Sequence, residues 1–341
     1  MRPLFRLKDR FSKERFSVGL DIGTSTVKLV KLKFSKEVVE ICDFNIEPLQ
    51  FDQAAVLKKI VHPHPNIKKI NISVSGHSAI IRYVNFPKME VDELMRSLRY
   101  EAQKHIPFSI DEVNLDSYIL NPDLPDNKMF VLLAAVKKEF INQRLKLIGD
   151  AGLNANIVDI DSLALINAFN FNYSNEDSLK NKTIALLNIG ALLSNLSVLD
   201  NGIPRLSRDI HIAGNNFTQK LADTLGIDFK SAQELKHNPD KEKLDKMLTV
   251  VESVLSTLAG EVRISFDYYE SQNASTVAKI FLSGAGSKLL GLKDMLANLL
   301  GIEVEYWDPL RQINIPNDID SEKLKEVSSQ LAVAVGLALR S

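Results

Sequence analysis

Asp21-Ile22-Gly23-Thr24-Ser25-Thr26-Val27-Lys28 sets a carboxylate, a glycine, three consecutive hydroxyls and an ammonium close together. That set suits a polyphosphate. Glycine lets backbone N–H groups approach the ligand, the hydroxyls of Thr24, Ser25 and Thr26 offer hydrogen bonds, and Lys28 adds positive charge. Asp21, at the end of a strand, could hold hydrated Mg²⁺, which keeps several waters and takes only one or two carboxylates. Leu187-Asn188-Ile189-Gly190-Ala191 echoes this turn in mid-chain, with Asn188 where the first turn has Asp21. A third turn, Ser283-Gly284-Ala285-Gly286-Ser287, runs from a strand into a helix, where glycine exposes backbone to a nucleoside or an α-phosphate. A glycine after a strand is often just a hairpin tip, and Gly-x-Gly alone matches many proteins. The weight comes from three turns in order, two of them internally similar.

Elements must position these turns. Ser17–Ile22 with Val27–Phe34 reads as one hairpin and Leu186–Leu199 as its copy, which predicts two similar domains facing a cleft. Between them, residues from about His77 to Val158 read strand, helix, two strands, helix: a small α+β module inserted into the first half. Asp161 is expected to N-cap the helix that returns to that half. Asp240 to Ser271 predicts a long amphipathic helix or helix pair, and Glu322 to Leu339 a final helix.

The bulk properties narrow the class. With 341 residues the chain suits two domains and an insertion. A net charge of -1 argues against nucleic acid as a partner. The single Cys42 excludes a disulfide framework and fits a reducing compartment; it reads as a small core residue. The apolar run Leu331 to Leu339 is too short for a membrane span. The basic opening segment, Met1 to Phe16, reads as a frayed solvated terminus in preference to a helix lying on anionic lipid. His62 and His64 lack Cys or acidic companions at zinc-like spacing, and the charge run Lys236 to Lys246 reads as a solvated face.

The three turns resemble the phosphate and adenosine motifs of the actin-like ATPase superfamily. Within it the chain is most similar to the PilM family of type IV pilus assembly proteins. Arg82 to Met89, Glu101 to Phe108, Ala134 to Lys137, Ala151 to Leu153, Val158 to Asp161 and Arg208 to Thr218 carry that likeness. The resemblance implies an α/β chain with a duplicated actin-like ATPase fold and an inserted FtsA-type α+β subdomain. Its expected parts are a flexible basic N-terminus (1–16), a first core (17–77 and 159–182), the insertion (78–158), a second core (183–322) and a C-terminal helix packing back (323–341). It implies ATP and Mg²⁺ as cofactors, held by Gly23, Thr24, Ser25, Thr26, Lys28, Asn188, Gly190, Ala191, Gly214, Gly284, Ala285 and Gly286. Glu261 is expected at the ribose, Arg263 or Ser265 at the base, and Asp21 at Mg²⁺ through water.

Asp21 and Asp161 are the candidate catalytic groups, Asp161 by orienting a water, although the N-cap reading of Asp161 is preferred. Asn188 departs from the family, which has Asp there. Asparagine hydrogen-bonds but adds no negative charge, so ATP binding with slow or absent hydrolysis is expected. The implied role is a cytoplasmic scaffold at the inner membrane, touching the membrane mainly indirectly. It would bind the N-terminal peptide of a PilN-like inner-membrane protein and dock near pilus motor ATPases. An FtsA-like division filament protein and a small-molecule kinase are the alternatives. The kinase would need a substrate carboxylate base, and the sequence assigns none.

Overall fold

The computed structural model describes residues 14–36, 38–49, 51–63, 67–238 and 241–340. Most of the expected N-terminal segment, residues 1–13, lies outside them. β1 (Arg15–Ile22), β2 (Thr26–Phe34) and β3 (Val39–Pro48) form an antiparallel meander. α1 (Gln53–Val61) leads to β4 (Lys69–Val74), which lies parallel to β1. The insertion contains β5 (Ala79–Pro87), α2 (Val91–Ala102), β6 (Val113–Leu124) and β7 (Lys128–Lys137), in a three-stranded sheet ordered β5-β7-β6. α3 (Lys138–Asp150) then returns the chain to β8 (Asn154–Ile160) and α4 (Asp161–Tyr173).

β8 pairs in parallel with β4, so the first core sheet runs β3-β2-β1-β4-β8. Ile148, Ala151 and Leu153, at the end of α3 and beyond it, pack with Val18, Leu20 and Leu57 of that core. By pairing and packing, β8 and the end of α3 therefore belong to the first core, although the sequence groups them with the insertion up to 158. A parallel partner some eighty residues away leaves no local signal.

The second half repeats the plan. β9 (Thr183–Ile189), β10 (Ser194–Asp200) and β11 (Ile203–Ile210) form its meander, followed by α5 (Gly214–Leu225), α6 (Phe229–His237) and α7 (Leu244–Gln272). Then come β12 (Val277–Ser283), α8 (Leu292–Leu300), β13 (Glu303–Tyr306), α9 (Ser321–Val327) and α10 (Ala332–Leu339). The sheet order β11-β10-β9-β12-β13 matches the first sheet element for element. The final helix expected from Glu322 is two helices, broken at Ser328–Gln330, where Ser329 O accepts from Gly284 N at 2.8 Å.

α4 and α10 are equivalent helices of the two halves, and both are buried nearly all round. They cross at Gly336, where an added Cβ would lie 1.8 Å from Ala164 O. Only glycine admits that approach. Their contact merges the halves, since one apolar cluster takes Val30, Leu32 and Ile41 from the first sheet and Ile184, Leu186 and Phe281 from the second.

Alternation builds the insertion. On β7, Met129, Val131, Leu133 and Ala135 face α2, while Leu132 and Val136 face Val74 and Ile160 of the first core. The insertion also touches the second half: Tyr83 Oη on β5 lies 2.8 Å from Ser207 Oγ on β11.

Candidate nucleotide cleft

The strand ends of both core sheets open into one cleft of about 1170 Å³ between the halves. From the first turn, Asp21, Gly23, Thr24, Ser25, Thr26 and Lys28 line it. From the second come Asn188, Gly190 and Ala191, and from the third Gly284, Ala285 and Gly286. Gly214, at the start of α5, and Asp161, at the start of α4, complete the predicted residues found there.

The turns hold one another. Gly23 N donates to Thr26 O at 3.1 Å, and Gly190 N to Leu193 O at 3.0 Å, so the first two are closed alike. The amides of Gly214 and Asn215 donate to the carbonyls of Gly190 and Ala191 at 2.9 and 2.8 Å. The third turn lies on the second. Gly284 has φ +87°, and a Cβ there would sit 2.3 Å from Ile189 O; one on Gly286 would meet Ile189 Cγ2 at 2.6 Å. Side chains at 284 or 286 would force the turns apart.

Asp21 and Lys28 face each other across the first hairpin and form an ion pair of 2.8 Å. Asp161 does not cap its helix: Ile160 holds the N-cap position and no side-chain cap bond forms, which overturns the preferred reading. Its carboxylate faces the cleft instead. Burial and the nearby Asp21 charge push Asp161 up to about 7, against hydrogen bonds from Ser73 and Ser75. Among the described residues, no cluster of His, Cys, Asp or Glu forms a metal cage. The donor set fits Mg²⁺ carried on phosphates and touched through water by one or two carboxylates.

Asn188 has a structural use. Ser283 Oγ donates to its Oδ1 at 3.1 Å, and its Nδ2 donates to Asn195 Oδ1 at 3.3 Å. Asn195 Nδ2 donates to Asp209 Oδ1 at 2.6 Å, and Asp209 Oδ2 accepts from Gly76 N at 2.7 Å, on the connection from β4 to the insertion. This polar chain crosses the cleft and needs an amide at 188, because a carboxylate cannot donate to Asn195.

Three of the expected residues stand apart from the cleft lining. Glu261, Arg263 and Ser265 lie on α7 and do not line the cleft. Glu261 pairs with Arg208 at 2.5 Å, Arg263 donates to Leu300 O, and Ser265 is buried against Arg208 and Glu261 O. From α6, Gln233 and Lys236 line the cleft near Gly214. Lys236 is therefore not part of a solvated face. Its Nζ donates to Thr218 Oγ1 at 2.8 Å and Gly214 O at 3.2 Å, both uncharged, and burial lowers its pKa to about 8. Arg144 of α3 is a further lining residue that the sequence did not mark. Both cations sit on amphipathic helices whose polar faces read alike whether they meet a cleft or solvent.

A family model described as type IV pilus assembly protein PilM matches residues 19–341. The chain belongs to the PilM family. It is similar to a solved PilM-PilN type IV pilus biogenesis complex, at 27% identity over 95% of this chain and 98% of that chain, with a TM-score of 0.83. The ethanolamine utilization protein EutJ from Carboxydothermus hydrogenoformans is 15% identical over 96% of this chain and 90% of that chain, with a TM-score of 0.54; the likeness there is of fold alone. The fold is thus α/β and actin-like, and family membership favours a pilus role over the FtsA-like and kinase alternatives.

Proposed function

We propose that the chain binds ATP in the cleft and works as a nucleotide-dependent scaffold of type IV pilus assembly. The carrying observation is that Thr24, Gly190 and Gly286, far apart in sequence, line one cleft. The phosphates would be held by the hydroxyls of Thr24 to Thr26 and by the first two turns. The nucleoside would rest between the third turn and Gln233 and Lys236 of α6. Asp21 would meet Mg²⁺ through water, and bound Mg²⁺ supplies positive charge against the phosphate oxygens. Asn188 removes one negative charge from that surround, which supports slow or absent hydrolysis. Titration of ATP with and without Mg²⁺, beside steady-state phosphate release, tests this. Turnover of about 1 per second or faster would refute the hydrolysis part.

The partner in this reading is the N-terminal segment of PilN, because a related solved structure is a PilM-PilN complex. A second cavity of about 350 Å³ is the proposed seat. It lies between the edge strands β6 and β8, so an extended peptide there could meet unpaired strand edges. Its lining is mainly apolar, including Leu115, Tyr118, Leu132 and Ile141, with Asp159 paired to Arg340 at 3.1 Å. No helix among the described residues is long and apolar enough to cross a membrane. Inner-membrane association would therefore come through PilN, with the chain on the cytoplasmic side. Fluorescence polarisation with a labelled PilN N-terminal peptide tests the seat. Ala134→Trp, which fills the cavity, should abolish binding; unchanged affinity would place the peptide elsewhere.

A further inference from the structure

We propose that Arg144 contacts the terminal phosphate of the nucleotide and sets a preference for triphosphate over diphosphate. This rests on the reading of the cleft as an ATP site. Arg144 enters the cleft from α3, and its Nη1 donates to the carbonyl of Ile22, the residue before Gly23, at 3.4 Å. The Phe140 ring lies 5.8 Å from its guanidinium carbon. One long hydrogen bond leaves most of the five N–H donors of a guanidinium available.

The other cations lining the cleft are committed. Lys28 is paired with Asp21 at 2.8 Å, Lys236 bonds Thr218 and Gly214, and Lys288 donates to Glu326 O. Without Arg144, a phosphate at this end would meet Asp21 and Asp161 unopposed apart from Lys28. Burial lowers the Arg144 pKa, while the Asp161 and Asp21 charges act to raise it, so the guanidinium sits in a partly dry site beside both carboxylates. A fork of parallel N–H donors matches phosphate oxygens in pairs. A nucleotide whose nucleoside rests at Gly284 to Gly286 presents its last phosphate toward the first turn, where Arg144 stands.

Calorimetric titration of the full chain with Mg²⁺ and either ADP or a non-hydrolysable ATP analogue tests this in wild type, Arg144→Ala and Arg144→Lys. Arg144→Ala should weaken the triphosphate analogue about 10- to 100-fold and ADP by no more than about threefold. Arg144→Lys, which keeps the charge without the fork, should fall between. Equal losses for both nucleotides, or no loss for either, overturn the proposal, even where wild type binds both. Should Arg144→Ala fail to fold, Arg144→Lys decides alone, through the ratio of the two affinities. Wild type that binds neither nucleotide would overturn the cleft reading itself, and this inference with it.

Discussion

Gly284→Ala is the sharpest perturbation of the joint between the second and third turns, and Gly301→Ala is its control. Both glycines have positive φ, +87° at Gly284 and +68° at Gly301. They differ in surroundings: a Cβ at 301 meets nothing within 4 Å, whereas one at 284 meets Ile189 O at 2.3 Å and Ile189 C and N at 2.8 Å. Ile189 cannot retreat easily, because β9 is paired on both sides, with β10 and β12. Alanine at 301 should therefore cost only the left-handed strain, about 1 kcal/mol. At 284, with ψ 160°, the backbone lies in a region almost reserved for glycine, which costs about 1–3 kcal/mol. The overlap with Ile189 adds about 1–3 kcal/mol more. The two variants should differ by about 3 kcal/mol, or roughly 4 °C in melting midpoint for a chain of 341 residues. Gly301→Ala should keep wild-type ATP affinity, and Gly284→Ala should lose at least about tenfold. Thermal melts and titrations with a fluorescent ATP analogue read both quantities. If Gly284→Ala melted and bound ATP like Gly301→Ala, the contact between the turns would not be what shapes the site.

Other outcomes follow from single side chains. Lys236 has a native pKa of about 8, below its ordinary 10.5, so the unfolded chain binds more protons between those values and stability should rise with pH across that window. Lys236→Met should flatten that rise and stabilise the nucleotide-free protein by about 1–3 kcal/mol at neutral pH while weakening ATP binding; a variant that is less stable at pH 7 contradicts this. Asn188→Asp breaks the bond to Asn195 and should cost about 1–3 kcal/mol in denaturant melts while raising phosphate release above wild type. No gain in release would show that the missing charge does not limit hydrolysis. Tyr83→Phe removes the bond to Ser207 and should cost about 0.5–1.5 kcal/mol, read by urea melts with nucleotide affinity unchanged.

The sequence revealed the parts whose signals are local. Three glycine turns after strands, two of them in similar hairpins, marked Gly23, Gly190 and Gly286, and these residues line one cleft. The continuous apolar run of β7 and the apolar stripe of α2 made the inserted sheet and helix legible. What stayed hidden depends on distant partners. Asp161 has the sequence look of a cap, but the packing of β8 beside β4 turns its carboxylate into the cleft. Glu261 and Lys236 both stand on polar helix faces. Only the tertiary placement of α6 over Gly214, and of α7 against β11, shows which face meets the cleft. The break at Ser328–Gln330 likewise answers a contact with Gly284 that no local propensity announces.

The most direct test is a structure of the full chain with Mg²⁺ and a non-hydrolysable ATP analogue. The account predicts one nucleotide, its phosphates within hydrogen-bond reach of Thr24 to Thr26 and of Gly190, and its nucleoside beside Gly284 to Gly286 and Lys236. A nucleotide held by one half alone, or bound outside the cleft, would contradict it.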